Sequence, residues 1–309
     1  MNRVASGAAP GKVIVLGEHS VVFGEPAIAA AIERRLEVQL RLDESPSAPD
    51  DARLAEAVGS AAREMGVDPA RLRVEIVSDI PPGCGLGSSA ALSLALIRAL
   101  ASLTERALSD EELRSRASRV ENVFHGTASG VDVAACADGG IVWFERSNPP
   151  RIERLRAAKP LDLVVALSGA QRSTAGPVGR LRDRHAQRPE VYGRLFRLAG
   201  DVAREGRAAL EQGDEQALGA LMDVAQGLLN ACGVSTPALE RAVAVAREAG
   251  ALGAKLSGAG GGGVIIALAP GRAAAVGEAL RAAGFDSFHT RVGCGPQEVE
   301  DARSKRASA

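Results

Sequence analysis

This sequence of 309 residues has few aromatic residues, almost no excess of either charge and no long apolar run. Aromatic residues make up 3%, and 37 Lys and Arg are matched by 38 Asp and Glu, which gives a formal net charge of −1. A polymer of phosphates needs many unmatched cations and stacked bases need aromatic rings, so we expect no nucleic-acid partner. The hydrophobic fraction of 46% is nevertheless high enough to predict a folded globular protein.

Segments suited to a membrane are missing as well. No apolar run approaches the ~20 residues that span a bilayer. The first such run, residues 13–16, is too short for the apolar part of a signal peptide. The four cysteines are far apart and form no Cys-x-x-Cys pair; they are Cys84, Cys136, Cys232 and Cys294. We therefore expect a cytoplasmic protein with reduced thiols and no membrane partner.

Hydrophobic periodicity predicts helices and strands in both halves of the chain. The first half is expected to have strands at 13–16, 36–42, 71–78 and 140–144, and helices at 52–65, 88–103 and 109–124. Ser109 and Glu112 form a capping box for the third helix, and a linker region is expected from Asn148. The second half is expected to have a strand at 161–167, helices at 190–212, 215–230 and 237–249, strands near 252–256 and 264–269, a helix at 272–283 and a strand at 287–292. Such an order predicts an α+β fold of the split βαβ kind.

A glycine-rich loop at residues 82–89 is the strongest local signal for chemistry. It reads Pro-Gly-Cys-Gly-Leu-Gly-Ser-Ser, and a predicted helix begins at Ser88 and Ser89. The free N–H groups and the positive dipole at a helix start bind anions, and serine hydroxyls can contact phosphate oxygens or Mg²⁺. No lysine precedes the serines, so this is not a Walker A loop. A glycine-rich turn capped by serines stays open as the alternative.

Two further segments have an unusual composition. Residues 255–263 read Lys-Leu-Ser-Gly-Ala-Gly-Gly-Gly-Gly, and a backbone without side chains favours close approach of a ligand or of another loop. A flexible hairpin is the alternative there. Lys12 lies at the edge of a predicted strand, before a turn that contains Glu18 and His19. This segment is either a phosphate clamp with polar substrate contacts or a solvated strand edge.

Two acidic residues, Glu121 and Asp132, complete the set. Glu121 lies late in the helix capped by Ser109, and Asp132 lies in what we predict to be a closely packed loop. Phosphoryl transfer needs a phosphate cradle, Mg²⁺ ligands, a cation for the transferred group and an acid that orients or deprotonates the hydroxyl. The sequence offers a candidate for each of these parts.

Taken in this order, the three segments resemble the three signature motifs of the GHMP small-molecule kinases. Residues 10–27 match Pro-Gly-Lys-x-x-x-x-Gly-Glu-His-x-Val-Val-x-Gly-x-Pro-Ala, the form of the first motif in members that phosphorylate mevalonate. Residues 125–132 match His-Gly-x-x-Ser-Gly-x-Asp. The resemblance implies an α+β, two-domain GHMP kinase fold. Residues 1–157 would form a ribosomal S5 domain 2-like N-terminal domain, and residues 158–309 a ferredoxin-like C-terminal domain.

The resemblance also implies roles for individual residues. Asp132 would be the catalytic acid–base group near the acceptor hydroxyl, and Lys12 the catalytic cation beside the γ-phosphate. Ser89 and Glu121 would bind Mg²⁺. The residues implied for the ATP phosphates are Pro82, Gly83, Cys84, Gly85, Leu86, Gly87, Ser88 and Ser89, together with Gly258, Ala259, Gly260 and Gly261. The residues implied for mevalonate are Lys12, Glu18, His19, Asp132, Arg172 and Thr174, with Arg172 on the carboxylate.

The implied activity is phosphorylation of mevalonate to 5-phosphomevalonate in isoprenoid precursor biosynthesis, with ATP as co-substrate and Mg²⁺ as cofactor. One alternative is a sibling kinase acting on phosphomevalonate or another small hydroxy acid. Another is an inactive nucleotide-binding regulator, which would usually have lost at least one of the four residues Lys12, Ser89, Glu121 and Asp132. The oligomeric state is left open, with a homodimer as one option.

Overall fold

The computed structural model describes residues 4–43, 49, 51–125, 129–169 and 175–293. Within these residues the strands are β1 (Val4–Leu16), β2 (Ala27–Leu42), β3 (Leu72–Ser78), β4 (Ile141–Glu145), β5 (Arg151–Leu155), β6 (Leu161–Leu167), β7 (Gly253–Ser257), β8 (Val264–Leu268) and β9 (Ser287–Val292). The helices are α1 (Ala52–Met65), α2 (Ser88–Leu103), α3 (Asp110–His125), α4 (Val131–Asp138), α5 (Ala175–Gln187), α6 (Pro189–Gln212), α7 (Glu215–Ala231), α8 (Pro237–Glu248) and α9 (Ala273–Ala282). Two short 3₁₀ turns lie at Ser20–Phe23 and Pro69–Arg71.

Two sheets organise these elements. The first has the order β1-β2-β4-β5, with β3 also pairing to β2. The second has the order β7-β8-β6-β9 and its pairs are antiparallel. Its strands therefore lie in the order second, third, first, fourth, with helices in the two crossovers, which is the ferredoxin-like split βαβ arrangement. The predicted α+β fold class is confirmed.

The chain divides into two compact units, each assembled from separate segments. The first unit comprises the described parts of Met1–Lys12, Arg34–Pro81 and Gly87–Gly139. The second comprises those of Val13–Glu33, Pro82–Leu86 and Gly140–Ala309. The domain boundary at residue 157 stays a prediction.

In the first unit, helices α1 to α4 pack on one another. Helix α2 is apolar almost all round, and most of its residues between Ala90 and Leu100 are buried, as the sequence predicts. The predicted capping box is confirmed at α3: Ser109 N donates to Glu112 Oε2 at 3.0 Å, and Glu112 N donates to Ser109 Oγ at 3.2 Å. These helices hold the first turns of α2 and α4 within the same unit.

In the second unit, helices cover the second sheet, and the core between them includes Phe196, Leu239, Leu256 and Ile265. Helix α8 begins as predicted, since Thr236 Oγ1 accepts from Leu239 N at 3.3 Å and Pro237 follows the cap. None of the helices within the described residues is both long enough and apolar enough to cross a membrane.

Several segments differ from the prediction. Strand β1 begins at Val4 and β2 at Ala27, nine residues before each expected start. Asp132 does not lie in a loop: it is in the first turn of α4, which begins after Gly130 in a left-handed conformation. The region after Asn148 is not a plain linker, because residues 151–155 form β5 and pair with β4. The charged residues of β5 hide its strand character in the sequence. Cross-strand and inter-element ion pairs, such as Arg151 with Glu145, stabilise it instead.

Candidate active site

The side chains of Lys12 and Asp132 form an ion pair in the first unit. Lys12 lies on β1 and Asp132 in the first turn of α4, and Lys12 Nζ is 2.9 Å from Asp132 Oδ1. The lysine side chain is 2% exposed and the aspartate side chain 29%. The pair thus has a buried cation and a carboxylate that is open on one side. Such a carboxylate can accept the proton of a bound hydroxyl while the lysine holds its orientation.

Glu121, on α3, is buried close to this pair. Its residue exposure is 1%, and Oε2 accepts no hydrogen bond among the described residues. Burial, helped by the nearby charge of Asp132 and partly offset by Lys12, raises the pKa of this carboxyl to about 8. A buried carboxylate oxygen without a partner is expensive unless a cation or a donor completes it. We call Lys12, Glu121 and Asp132 the Lys12 cluster.

Two residues that the sequence analysis left without a role support this cluster. Cys136 is fully buried one turn after Asp132, and burial, helped by the nearby Asp132 charge, raises the pKa of its thiol well above the ordinary value. It therefore packs as a neutral side chain. Arg98 donates to Ala8 O at 2.7 Å and to Ala137 O at 3.0 Å, which ties α2 to β1 and to the end of α4.

The loop before α2 has the backbone that its glycines predict. Gly83, Gly85 and Gly87 all have positive φ, at 69°, 83° and 79°. At Gly87, an added Cβ would lie 2.7 Å from Lys12 Cγ and 3.3 Å from Cys136 Sγ. Only glycine therefore lets the start of α2 lie this close to Lys12. The helix begins there with Ser88 and Ser89, both half-buried.

In the second unit, the turn at residues 17–19 contacts strand β7 and the loop that follows this strand. We call residues 17–19 the acceptor turn and residues 258–263 the glycine loop. Lys255 Nζ donates to Glu18 Oε1, and both side chains are buried. His19 Nε2 lies 3.1 Å from Ala259 O, and because a carbonyl oxygen only accepts, the ring nitrogen donates. The carboxylate of Glu18 is thus directed at Lys255, and its contact with substrate stays a prediction.

The glycine loop is held against its surroundings. Five of its residues, all except Ala259, have positive φ. An added Cβ at Gly260 would lie 2.2 Å from Val234 O, and Gly261 N donates to the same carbonyl oxygen at 2.8 Å. The bare backbone is therefore needed at Gly260 for close approach to the segment that follows α7.

A small cavity of about 20 Å³ adjoins the acceptor turn. Gly17, Glu18 and His19 form one side, and the other side is mostly apolar and comes from α6 and α7, including Phe196 and Leu229. Phe196 also stacks on Phe23, with ring centroids 4.1 Å apart. The acceptor turn is thus the polar side of a largely apolar cavity that has room for about one water molecule.

The remaining predicted residues have no described geometry. Arg172 and Thr174 lie outside the described residues, as do positions 126–128 of the motif that ends at Asp132. The structure therefore brings together two groups of predicted residues. Lys12, Glu121 and Asp132 meet in the first unit, and Glu18, His19 and Ala259 meet in the second.

The Lys12 cluster fits a divalent cation that is completed by a ligand. Among the described residues no three His, Cys, Asp or Glu side chains are arranged to hold a metal ion by themselves. Mg²⁺ usually takes one or two carboxylates and completes its shell with water and phosphate oxygens. The unpartnered Oε2 of Glu121 is an oxygen ligand of the required kind, and Ser89 at the start of α2 offers a hydroxyl.

Comparisons with known proteins show which proteins this chain is similar to. Residues 52–140 match the family model described as GHMP kinases N terminal domain, and residues 207–286 match GHMP kinases C terminal. A mevalonate kinase from Pyrococcus abyssi is 35% identical, with 98% of this chain and all of the relative covered. One from Aeropyrum pernix is 39% identical over 87% of this chain and 89% of the relative. A solved structure of Leishmania major mevalonate kinase in complex with R-mevalonate has a TM-score of 0.85 and 32% identity, with 94% and 96% of the two chains covered.

Proposed function

The chain belongs to the GHMP kinase family, and from that premise we propose that it transfers the γ-phosphoryl group of ATP to the 5-hydroxyl of mevalonate. The observation that carries this proposal is the Lys12 cluster. It places a buried cation 2.9 Å from a partly open carboxylate. A second carboxyl lies close by, and its Oε2 has no hydrogen-bond partner within the described part of the chain. Positioning and charge stabilisation are what phosphoryl transfer requires from a protein.

Asp132 is the group that acts on the acceptor. Its carboxylate accepts the proton of the 5-hydroxyl while the oxygen forms a bond to the γ-phosphorus, the bond from that phosphorus to the bridging oxygen breaks, and ADP leaves. Lys12 orients this carboxylate and stabilises the negative charge of the transferred group. Both roles need a lysine held in place, and the 2% exposure of Lys12 supports that.

The ATP phosphates are bound at residues 82–89 and by the start of α2. The positive φ of Gly83, Gly85 and Gly87 turns the backbone sharply before a helix whose first N–H groups carry a partial positive charge. Gly258, Ala259, Gly260 and Gly261 provide further backbone contacts. Glu121 and Ser89 would hold Mg²⁺, which when bound neutralises charge on the phosphates.

The acceptor binds through its polar groups. His19 contacts the substrate from the acceptor turn, and the carboxylate of mevalonate pairs with Arg172, whose planar guanidinium can form two parallel hydrogen bonds. Thr174 contacts the acceptor near the same loop. We further propose that the enzyme is cytoplasmic, and a homodimer stays one option for its assembly. Among the described residues, Cys136 and Cys232 are buried thiols outside any disulfide, which supports this location.

A panel of acceptors with Mg-ATP tests the proposal. Mevalonate, phosphomevalonate, homoserine and galactose are each supplied, ADP is measured, and the product is identified by mass spectrometry. We expect turnover with mevalonate to exceed that with the other three, and Asp132→Asn serves as the inactive control. A higher kcat/KM for any other acceptor refutes mevalonate as the substrate. ATP turnover that does not depend on any acceptor refutes the transferase activity itself.

A further inference from the structure

The buried ion pair between Glu18 and Lys255 has no part in the chemistry derived above. The exposures of the two side chains are 1% and 0%, and Lys255 Nζ also donates to Leu256 O at 2.7 Å. Taking two charges out of water is costly, and apolar side chains of similar volume often stabilise a core equally well. Fold stability alone therefore gives no reason for charged residues here.

Each member of the pair lies next to a segment that is proposed to bind a substrate. Glu18 belongs to the acceptor turn, and Lys255 precedes the glycine loop by three residues on β7. The end of β7 is itself fixed, because Ser257 Oγ accepts from Ile14 N at 2.8 Å and donates to Ile14 O at 3.1 Å. The pair thus attaches the acceptor turn to a strand that is already held in place.

The backbone of His19 needs such an attachment. Its φ of 63° is a left-handed conformation that a residue with a side chain rarely adopts, and surrounding contacts must maintain it. The ring donates from Nε2 to Ala259 O, so in a neutral ring Nδ1 is the acceptor. This ring lines the cavity beside Glu18.

We propose that Glu18 and Lys255 are positioning residues that act through His19. Their ion pair holds the acceptor turn in its left-handed form, so that the His19 ring stays in the cavity with Nε2 on the glycine loop. The pair thereby fixes the position of the His19 ring relative to the glycine loop, which is proposed to bind nucleotide. This inference rests on the proposed function, since it treats His19 as a residue that contacts the acceptor.

A double-mutant cycle on kcat/KM for the acceptor tests the proposal. The pair variant Glu18→Gln/Lys255→Met removes both charges and avoids an unpaired one, so we expect its Tm to stay within about 4 °C of the parent. A misplaced contact group lowers kcat/KM by up to about 10²-fold, and we expect a loss near this size both in the pair variant and in His19→Ala. The variant with all three substitutions should have a kcat/KM no more than about twofold below that of the less active of the pair variant and His19→Ala. The reason is that the pair and the ring act through one interaction.

A matched control comes from an ion pair of the same unit that lies away from the cavity. Arg207 Nη2 is 2.6 Å from Glu153 Oε1, and Arg207→Met/Glu153→Gln should leave kcat/KM unchanged. If the pair variant does not fold, the isosteric single variant Glu18→Gln takes its place in the cycle. The proposal is overturned if the loss of kcat/KM in the triple variant equals the product of the losses in the pair variant and in His19→Ala. It is also overturned if kcat/KM is unchanged in the pair variant. If the parent prefers another acceptor, mevalonate as substrate is refuted, and the same cycle on that acceptor still decides the role of the pair.

Discussion

Gly87→Ala should separate the two demands placed on the start of α2, namely backbone conformation and space for Lys12. The residue has a φ of 79°, and the new Cβ would lie 2.7 Å from Lys12 Cγ. Ordinary carbon–carbon contacts are about 3.5–4.0 Å, so the lysine stem must move by roughly 1 Å. Because Lys12 is only 2% exposed, it has little free space to move into. The left-handed conformation adds a strain of about 1–2 kcal/mol.

A displacement of this size at a catalytic group costs about 10²-fold in turnover. We therefore expect kcat with saturating mevalonate and Mg-ATP to fall by about 10²-fold in Gly87→Ala, with a Tm loss of a few degrees. Gly66→Ala is the matched control. Gly66 lies in the same unit with a φ of 71°, but nothing lies within 4 Å of its added Cβ. Gly66→Ala should show a similar loss of Tm and keep the kcat of the parent. Equal kcat values for the two variants would refute the argument that Gly87 makes room for Lys12.

Three further substitutions test separate parts of the site and fold. Asp132→Asn should lower kcat by at least about 10²-fold while Mg-ATP affinity, measured by calorimetry, stays near parental; more than a tenth of the activity would remove Asp132 from its acid–base role. Glu121→Gln should raise the Mg²⁺ concentration needed for half-maximal activity, and an unchanged titration would contradict the ligand assignment. Glu64→Gln should lower the free energy of unfolding by about 0.5–1 kcal/mol at pH 7. The bidentate Arg119 hydrogen bonds lower the pKa of Glu64, so this difference should shrink as the pH falls below 4.5, and a constant difference in urea unfolding would contradict it.

Elements fixed by local pattern were predictable from the sequence. Helix α2 has the bounds expected from its apolar run, and the Ser109 capping box starts α3 as expected. Helix α4 and strand β5 were not predicted correctly. The first is a short helix that follows a glycine, and the second is a run of alternating charges after two prolines, so neither has clear hydrophobic periodicity.

The sequence named the residues of the Lys12 cluster but not their contacts, and their roles stay predictions. The motif resemblance picked out Lys12, Glu121 and Asp132, but their meeting depends on how β1, α3 and α4 pack, which no local spacing encodes. The same limit explains Lys255. It appears in the sequence as the first residue of a glycine motif, and its only warning signal is a charge inside an otherwise apolar strand.

Four charged side chains are buried among the described residues, and they divide into two kinds. Lys12, Glu18, Glu121 and Lys255 all lie in or beside the segments that resemble family motifs. Glu18 is already paired with Lys255, so its charge can fix a conformation but has little left to offer a ligand. Among the described residues Glu121 Oε2 has no hydrogen-bond partner, and the raised pKa of about 8 keeps this carboxyl largely protonated at neutral pH. Because ionising it without a partner is costly in a buried place, a cation that binds there would compensate the charge it creates. On this reasoning the pairing state of a buried carboxylate distinguishes a positioning residue from a ligand residue, and it places Glu18 and Glu121 on opposite sides of that division.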